Sequence, residues 1–322
     1  MLNTLLAPSP AGTTPRHFLT LDDLGDHGLG DILALTARMK REPDTFRGAL
    51  DGGRIGMIFH KPSTRTRVSF ETAAWTLGML PSVLRADELQ LGRGETVADT
   101  ARTLSLYLDA IVIRTFAQAV VEELAADASI PVINALTNDH HPCQALADVL
   151  TLQEEFGTLS GIELAFIGDG DNVCHSLIQA AALGGFGLRV ATPPGYEPDP
   201  AIVDAARQRG GSILLTGDPV EAARGAHAIY ADVWTSMGKE SEGDARRHAF
   251  AGFRVDAALM AKALPVAIFL HCLPAHRGEE VTDEVIDGPA SRVWKQAGNR
   301  LHTETALLYT VLTGDPAGAR LR

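Results

Sequence analysis

Apolar residues fall into two alternating patterns along the chain, starting near residue 20. Short apolar runs such as "GRIGMIFH", "AIVIRTF" and "IPVINAL" predict buried β-strands. Between them, stretches such as "AVVEELAADA" carry apolar residues at helical spacing and predict α-helices. Strands that alternate with helices are typical of parallel βαβ units. The pattern therefore predicts an α/β fold with parallel sheets.

The strand–helix pattern restarts after Gly157 with "GIELAFIGDG", so the chain divides into two α/β halves of similar size. A chain of 322 residues is long enough for two ordinary domains. We predict a first domain over residues 1–150 and a second over residues 151–298. The remaining segment, 299–322, is predicted to be part of an amphipathic helix that packs back on the first domain.

Composition and charge exclude several classes of protein. The chain is 45% hydrophobic and 21% charged, as expected of a soluble globular protein, and it has 40 acidic against 28 basic residues. This acidic balance argues against a nucleic-acid partner. No apolar run approaches the roughly 18 residues of a membrane span, and the N-terminus lacks the basic region of a secretory signal. Three widely spaced cysteines suggest neither a disulfide framework nor a zinc site, so we expect a cytoplasmic protein.

One basic stretch stands out in this acidic chain: "FHKPSTRTRVSFE" follows a predicted strand and begins a helix. The first N–H groups of a helix are unpaired and its dipole favours an anion there. Ser63, Thr64 and Thr66 add hydroxyl groups, and Arg65 adds a planar fork that suits phosphate oxygens. The stretch lacks the Walker A pattern. It predicts a phosphate site; the alternative is a capped helix with a solvated basic first turn, which the helix dipole disfavours.

A second candidate site is "NDHHPCQ", residues 138–144. His141 precedes Pro142, which is typical of a first helical turn, and Gln144 lies just inside the helix. A neutral histidine there could polarise a carbonyl group, and the glutamine could orient an amide. The alternative is a loop histidine beside a helix cap.

The second half offers "FIGDGDNV", which suggests a dinucleotide-binding turn at first reading. The third glycine of that fingerprint is replaced by Val173, and the next strand lacks an acid at its end. An NAD-dependent oxidoreductase is therefore a minor alternative. Asn172 is still well placed to meet a small polar ligand.

Two later strands also end in polar residues. "YADVWTSMG" brings Asp232 to the carboxyl end of a strand, where ligands bind in α/β sheets and a carboxylate would suit an ammonium group. The alternative is an exposed loop carboxylate. "FLHCLPAHRG" places Cys272 beside His271, which is compatible with a nucleophile or with a structural cysteine. Its spacing matches no zinc site.

Together, "STRTR", "HPCQ", "DVWTSMG" and "HCLPAHRGEEVTDEVIDGP" resemble the aspartate/ornithine carbamoyltransferase family, from about Pro15 to the C-terminal helix. "SMG" and "HCLP" resemble its ornithine branch. The resemblance implies two α/β domains with the active site in the cleft between them. It implies transfer of the carbamoyl group of carbamoyl phosphate to the δ-amine of L-ornithine, giving citrulline for arginine biosynthesis without a metal or other cofactor. It also implies a homotrimer, or a multiple of trimers, in which a neighbour's loop completes each site.

The resemblance assigns residues to each substrate. Arg114, His141 and Thr66 would polarise the carbamoyl oxygen, while Asp232 and Cys272 would orient the amine, so the implied catalytic residues are Arg114, His141, Cys272 and Asp232. The ornithine-binding set is Asn172, Asp232, Ser236 and Met237. The carbamoyl-phosphate set, with Gln90 reaching in from a neighbouring subunit, is Ser63, Thr64, Arg65, Thr66, Gln90, Arg114, His141, Gln144, Cys272, Leu273 and Arg300.

Other readings stay open at this point. A sister enzyme could use putrescine, an N-acylated ornithine or aspartate; aspartate would need more basic residues near "SMG" than the single Lys239. Putrescine has no α-carboxylate for the "SMG" loop to bind. A non-catalytic anion-binding or regulatory subunit would be expected to lack Arg114, His141 or Cys272, and all three are present.

The chain also departs from the family pattern in two places. Asp171 stands where the family more often has Asn, and we expect it to face solvent. Near the C-terminus the chain reads "GNRLHTETA" where the family has a pattern like "ENRLHAQKA". Gly298, Glu304 and Thr305 are therefore unusual, and they leave open how Arg300 is held.

Overall fold

The computed structural model describes residues 16–85, 89–90, 94–235, 240–316 and 318. Ser236 and Met237 therefore lie outside the described residues. The chain forms two compact units, here called unit 1 (Met1–Cys143 with Arg300–Arg322) and unit 2 (Gln144–Asn299).

Unit 1 contains a parallel four-stranded sheet. A short 3-10 helix, Leu21–Leu24, precedes its first α-helix. The helices are α1 (Gly25–Arg41), α2 (Pro43–Phe46), α3 (Thr64–Thr76), α4 (Val97–Ser105) and α5 (Gln118–Asp127), and the strands are β1 (Arg54–Phe59), β2 (Leu80–Arg85), β3 (Ala110–Arg114) and β4 (Val132–Leu136). The strand order is β2-β1-β3-β4.

The long helix α6 (Pro142–Phe156) begins at the end of unit 1 and lies mostly in unit 2. It starts at the proline that the sequence predicts as its first residue. Unit 2 then has the strands β5 (Glu163–Ile167), β6 (Gly187–Ala191), β7 (Ile213–Thr216), β8 (Ala228–Ala231) and β9 (Ile268–His271), paired in parallel in the order β7-β6-β5-β8-β9. Its helices are α7 (Asn172–Gly184), α8 (Pro200–Gln208), α9 (Pro219–Ala223), α10 (Gly243–Ala249), α11 (Ala257–Met260) and α12 (Asp283–Ile286), with a 3-10 turn at Glu240–Glu242.

The last helix, α13 (Val293–Thr313), leaves unit 2 and enters unit 1 between Asn299 and Arg300. Within unit 1, Tyr309 packs edge-on against Phe46, with 5.8 Å between the ring centroids. The predicted α/β fold with parallel sheets is confirmed in both units.

Strand register decides which residues meet at the functional edge of each sheet. In unit 1, Phe59 of β1 pairs with Arg114 of β3. In unit 2, Ile167 of β5 pairs with Ala231 of β8, and Ala231 pairs with His271 of β9. Because the strands are parallel and end in register, the residues that follow them lie side by side.

Two strands, β2 and β7, were not predicted from the sequence pattern, and neither were the helices α2, α8, α10, α11 and α12. Strand β2 (Leu80–Arg85) follows α3, which ends at Thr76, and it lies at the edge of its sheet. Pro81 argues against a strand in the sequence pattern, because proline occurs in a sheet only at edge strands, at the start of a strand or at bulges. The other missed strand, β7, is also an edge strand and follows the missed helix α8. Both strands are only partly buried, so neither shows the continuous apolar run of a central strand.

Among the described residues, no helix combines the length and hydropathy needed to cross a membrane. Cys143, Cys174 and Cys272 are all free thiols.

A close backbone approach fixes the turn after β5. A Cβ atom on Gly170 would lie 2.6 Å from the carbonyl oxygen of Tyr196 and 2.7 Å from the carbonyl carbon of Glu197. Backbone atoms cannot yield as a flexible side chain can. We therefore expect Gly170→Ala to lower the Tm by about 5 °C, as measured by circular dichroism at fixed protein concentration.

Gly217→Ala is the matched control for this prediction. The nearest heavy atom to a Cβ atom there is the Thr192 carbonyl oxygen at 4.0 Å. The Tm of this variant should stay within about 1 °C of the parent. Equal Tm values for the two variants would contradict the proposed close approach at Gly170.

Candidate active site

The predicted phosphate site lies at the N-terminus of α3 in unit 1. Ser63 is the N-cap, and its hydroxyl oxygen accepts from the backbone N–H of Thr66 at 3.2 Å. Thr64 and Arg65 are exposed in the first turn, whereas the Thr66 side chain is buried. The first turn therefore presents a helix dipole, hydroxyl groups and one guanidinium group together.

Arg114 is brought to this helix by the sheet. It is the last residue of β3, and its carbonyl oxygen accepts from the N–H of His60 at 2.9 Å as β1 ends. The Arg114 side chain is buried. A buried guanidinium group beside a helix N-terminus is a strong attraction for an anion.

His141 completes the cluster in unit 1. It precedes α6 directly and is only 6% exposed. Burial holds the pKa of His141 well below its usual value, and the positive charges of Arg300, Arg114 and Arg65 lower that pKa further. The imidazole is therefore neutral at physiological pH. The structure thus brings His141 together with three predicted arginines.

Arg300 is held by an acid on its own helix. Its Nε and Nη2 atoms donate to Oε1 of Glu304 at 2.8 and 2.6 Å, and Nη2 also donates to the Thr66 hydroxyl at 3.3 Å. Arg300 is 4% exposed and Glu304 is 1% exposed. Burial raises the pKa of Glu304, while Arg300 and a hydrogen bond from Ser69 oppose the rise. The unusual Glu304 is therefore the group that orients Arg300.

The two other departures near Arg300 have smaller effects. No heavy atom lies within 4 Å of a Cβ atom built on Gly298, so this glycine meets no close neighbour. The Thr305 hydroxyl donates to the Leu301 carbonyl oxygen at 2.7 Å.

Two further predicted residues are Gln144, in unit 2, and Gln90, in unit 1. In unit 2, the Gln144 amide nitrogen donates to Oδ1 of the buried Asp148 at 2.7 Å, and Gln296 donates to the same oxygen at 2.6 Å. The Gln144 side chain is thus fixed by a neighbour one helical turn away. Gln90 is exposed, on the short described segment Leu89–Gln90.

Asp232 and Cys272 form the centre of the candidate site in unit 2. Each follows one of two paired strands, β8 and β9, and the Cys272 thiol donates to Oδ1 of Asp232 at 2.8 Å. The same oxygen accepts from the N–H of Val233 at 2.7 Å. Burial raises the pKa of Asp232 to about 7, the charge of Asp171 adds to this rise, and His271, Cys272 and Val233 oppose it. Asp232 and Cys272 therefore form a hydrogen-bonded polar pair at a buried edge of the sheet, and the carboxyl group of this pair has a raised pKa.

Cys272 is not arranged as a cysteine–histidine nucleophile. Its Sγ atom lies 3.9 Å from His271 Nδ1, which instead accepts from the Leu273 N–H at 2.9 Å. The other ring nitrogen, Nε2, lies 3.1 Å from Oε1 of the buried Glu280. His271 therefore shapes the turn, and the thiol is directed to Asp232. Leu273 itself has a left-handed backbone, with φ of 57°, which is a strained conformation for leucine.

Asn172 and Asp171 flank this centre from the end of β5. Asn172 is buried as the first residue of α7. The expectation that Asp171 faces solvent is wrong: the residue is only partly exposed, and its Oδ1 atom is buried. Its charge raises the pKa of Asp232 because the β5–α7 turn lies beside the end of β8.

Several residues that shape the two sites were missed from sequence. Glu304 carried a signal, since an acid four residues after an arginine on a helix is a common ion pair. Asp148 carried the same signal relative to Gln144. The Glu280–His271 and Arg246–Asp169 contacts join residues that are distant in sequence, so no local pattern reveals these two pairs.

One possible metal-binding group occurs among the described residues. Donor atoms of His276, Glu279 and Glu280 all lie within 4.8 Å of one another. Glu280 is already bonded to His271 and to the His276 N–H. This cluster is therefore explained by the turn that follows β9.

Comparison with known proteins bears on both units. Residues 16–154 match the family model described as aspartate/ornithine carbamoyltransferase, carbamoyl-P binding domain, and residues 160–311 match the model for the Asp/Orn binding domain. An ornithine carbamoyltransferase of Acidothermus cellulolyticus is 52% identical over 309 residues, which is 95% of this chain and 98% of the relative.

Solved structures agree in fold. Ornithine carbamoyltransferase from Pyrococcus furiosus superposes with a TM-score of 0.89 at 48% identity, covering 94% of this chain and 98% of that one. An anabolic ornithine carbamoyltransferase from Campylobacter jejuni has a TM-score of 0.88 at 36% identity, covering 93% and 99%. Since both family models match and the relatives align over nearly their whole length, the chain belongs to the aspartate/ornithine carbamoyltransferase family.

Proposed function

We propose that this protein transfers the carbamoyl group of carbamoyl phosphate to the δ-amine of L-ornithine, giving L-citrulline and phosphate. The observation that carries the proposal is the neutral, buried His141 set among Arg65, Arg114 and Arg300. The phosphate group of an acyl phosphate pairs with the cations, and its carbonyl oxygen accepts a hydrogen bond from the neutral imidazole. The family to which the chain belongs, and the names of its relatives, support ornithine as the second substrate.

Unit 1 is proposed to hold carbamoyl phosphate. The N–H groups of α3 with Ser63, Thr64 and Arg65 would receive the phosphate, and Gln90 of a neighbouring subunit would add an amide donor. The carbamoyl oxygen would accept from Arg114, His141 and Thr66, with Arg300 beside them. From unit 2, Gln144 would accept from the carbamoyl –NH2 group through Oε1, because its amide nitrogen donates to Asp148.

Unit 2 is proposed to hold ornithine. Asp232 and the Cys272 thiol would orient the δ-amine, and the carbonyl group of Leu273 would flank the reacting centre, since its N–H is used by His271. The α-amino and carboxylate groups would be bound by Asn172, Ser236 and Met237, of which only Asn172 lies among the described residues.

The reaction follows from charge. The δ-ammonium group, with a pKa near ~10.4 in a lysine-like amine, must first lose a proton to become a nucleophile. Its lone pair then forms the C–N bond, and the carbonyl oxygen becomes an oxyanion held by Arg114, His141 and Thr66. Cleavage of the C–O bond expels phosphate, which takes the second nitrogen proton and leaves a neutral ureido group. These residues also fix both reactants before the bond forms, which removes much of the entropic cost of the reaction.

The proposal also covers the pathway, the cellular compartment and the oligomeric state of the protein. We assign the protein to arginine biosynthesis in the cytoplasm, supported by the anabolic relative from Campylobacter jejuni and by the three free thiols. We further propose a homotrimer or a multiple of trimers, supported by the family resemblance of the exposed segment that carries Gln90.

The substrate assignment is tested with four amines assayed in parallel. Purified protein is given carbamoyl phosphate with ornithine, putrescine, N-acetylornithine or aspartate, and phosphate release and the ureido product are measured. We expect strong turnover with ornithine alone. Turnover with another amine instead would overturn the assignments of unit 2 but keep those of unit 1, and turnover with none would overturn the proposed function.

The pH dependence of ornithine use should report Asp232. Below a pKa of about 7 this carboxyl group is protonated and neutral, so it cannot pair with an ammonium group. We expect log kcat/KM for ornithine to rise with pH, with a slope one unit steeper below this pKa than above it, where deprotonation of the amine alone still gives about a tenfold rise per pH unit. Initial rates from about pH 5.5 to 9.5 measure the profile.

Two variants make the assignment specific. Asp232→Asn should remove the inflection near pH 7 together with most of the activity. Asp218→Asn, which changes an exposed helix cap in the same unit, should leave the profile unchanged. An inflection that persists in Asp232→Asn would assign it to another group.

Shared sites can be tested by subunit mixing. Gln90→Ala and Arg114→Ala should each be nearly inactive alone. If Gln90 acts on the neighbouring subunit, co-expression of the two variants should restore about a third of the sites in each mixed trimer, because one of the three neighbouring pairs then combines an intact Arg114 with an intact Gln90.

Co-expression of Arg114→Ala with His141→Ala is the control, since both residues belong to the same chain's part of the site and no site can be restored. Activity is measured after the mixed oligomers are purified through two different affinity tags. Mixed oligomers without recovery would contradict a site shared between subunits.

A further inference from the structure

A buried arginine lies between the two loops of unit 2 that carry the proposed ornithine-binding residues. Arg246 belongs to the short helix α10, yet it is only 4% exposed. An arginine is seldom buried unless its charge and its hydrogen-bond donors are matched by partners. The contacts of Arg246 therefore indicate which segments of the chain this side chain stabilises.

The guanidinium group joins three different segments of the chain. Nη1 forms a short ion pair with Oδ2 of Asp169 and donates to the Trp234 carbonyl oxygen at 3.0 Å. Nε donates to Glu242 at 2.8 Å, and the group lies over the ring of Tyr196 at 4.9 Å from its centroid. The carboxylate of Asp169 is also buried, so the pair is shielded from water.

Two of these partners lie close in sequence to the proposed ligands of ornithine. Asp169 is in the β5–α7 turn, three residues before Asn172. Trp234 is two residues after Asp232 and two before Ser236. One side chain thus bonds the turn that presents Asn172 and the segment that connects Asp232 to Ser236.

Tyr196 ties the same turn from the other side. Its carbonyl oxygen accepts from the N–H of Gly170 at 2.9 Å, and its ring lies 4.8 Å from that of Phe250 in the buried core of unit 2. The turn is therefore held at its backbone by Tyr196 and at its Asp169 carboxylate by Arg246. Since the turn cannot shift without breaking one of these bonds, the position of Asn172 relative to Asp232 depends on them.

We propose that Arg246 is a positioning residue for the amino-acid substrate: it fixes the turn of Asn172 relative to Asp232 and to the segment that follows Asp232 as far as Trp234. The proposal rests on the proposed function, because it assigns Arg246 to the ornithine site. Arg246 touches neither substrate; it acts through Asp169 and the Trp234 carbonyl group. Misplacement of a substrate by a fraction of an ångström is enough to reduce productive binding strongly.

The test separates ornithine binding from carbamoyl-phosphate binding. We expect Arg246→Met to raise the KM for ornithine roughly tenfold or more, while the KM for carbamoyl phosphate stays within about twofold of the parent. Arg246→Lys should recover part of the loss, because an ammonium group can pair with Asp169 but lacks the planar fork that also reaches Trp234. Arg247→Met is the matched control on the same helix, since Arg247 is exposed and pairs with the exposed Asp244.

Loss of one buried partner leaves the other charge unpaired, so Arg246→Met can fail to fold. The double variant Asp169→Asn/Arg246→Met removes both charges and keeps the test possible, with Tm measured alongside the kinetics. A raised ornithine KM at an unchanged Tm supports the positioning role.

Two other outcomes contradict the proposal in different ways. A lowered Tm with both KM values unchanged, or changed together, would show a structural role only. An unchanged ornithine KM in every Arg246 variant would overturn the positioning role and leave the proposed function standing, whereas a wild-type protein without ornithine turnover would overturn both.

Discussion

Parallel pairing in register is the constraint on which both candidate sites depend. In unit 2, β5, β8 and β9 end beside one another, so the residues that follow them, from Gly168, Asp232 and Cys272 onward, share one edge of the sheet. In unit 1, β1 and β3 end together in the same way, which puts the start of α3 next to Arg114. Parallel sheets bury both faces, so this edge is where polar side chains from distant parts of the chain can meet without breaking the core.

Burial at these edges sets the protonation state of each key group. In unit 1, burial and three neighbouring guanidinium groups act in the same direction and keep His141 neutral. In unit 2, burial and the charge of Asp171 both raise the pKa of Asp232, while the Cys272 thiol and the Val233 N–H oppose them. The two units therefore offer opposite chemistry: a cationic cluster with a neutral donor, and an acid whose charge changes near physiological pH.

The sequence predicted the parts of the fold that are buried and the parts of the sites that follow buried strands. Asp232 and Cys272 were found because β8 and β9 are continuous apolar runs. Strands β2 and β7 were missed because an edge strand is half-exposed and can tolerate a residue such as Pro81.

Contacts between residues that are distant in sequence could not be predicted. Arg246 and Asp169 are 77 residues apart and belong to different elements, so no spacing rule connects them. The ion pair between Glu304 and Arg300 could have been predicted from helical spacing alone. The burial of Glu304 could not have been predicted in this way. Asp171 was misplaced for a similar reason: its charged neighbour Asp232 follows strand β8, which is distant from Asp171 in sequence.

Glu304 places a buried negative charge beside the cluster of arginines in unit 1. An acid beside a cationic cluster should weaken the attraction of that cluster for an anion, unless the acid serves to hold one of the cations. Here it is buried against Arg300, so it orients that guanidinium group toward Thr66. With Arg65 and Arg114, the cluster keeps a formal excess of two positive charges around His141 when Glu304 is ionised. A glutamine at this position would leave one more positive charge there and would bind the guanidinium group of Arg300 less strongly, because a neutral amide oxygen is a weaker acceptor than a carboxylate.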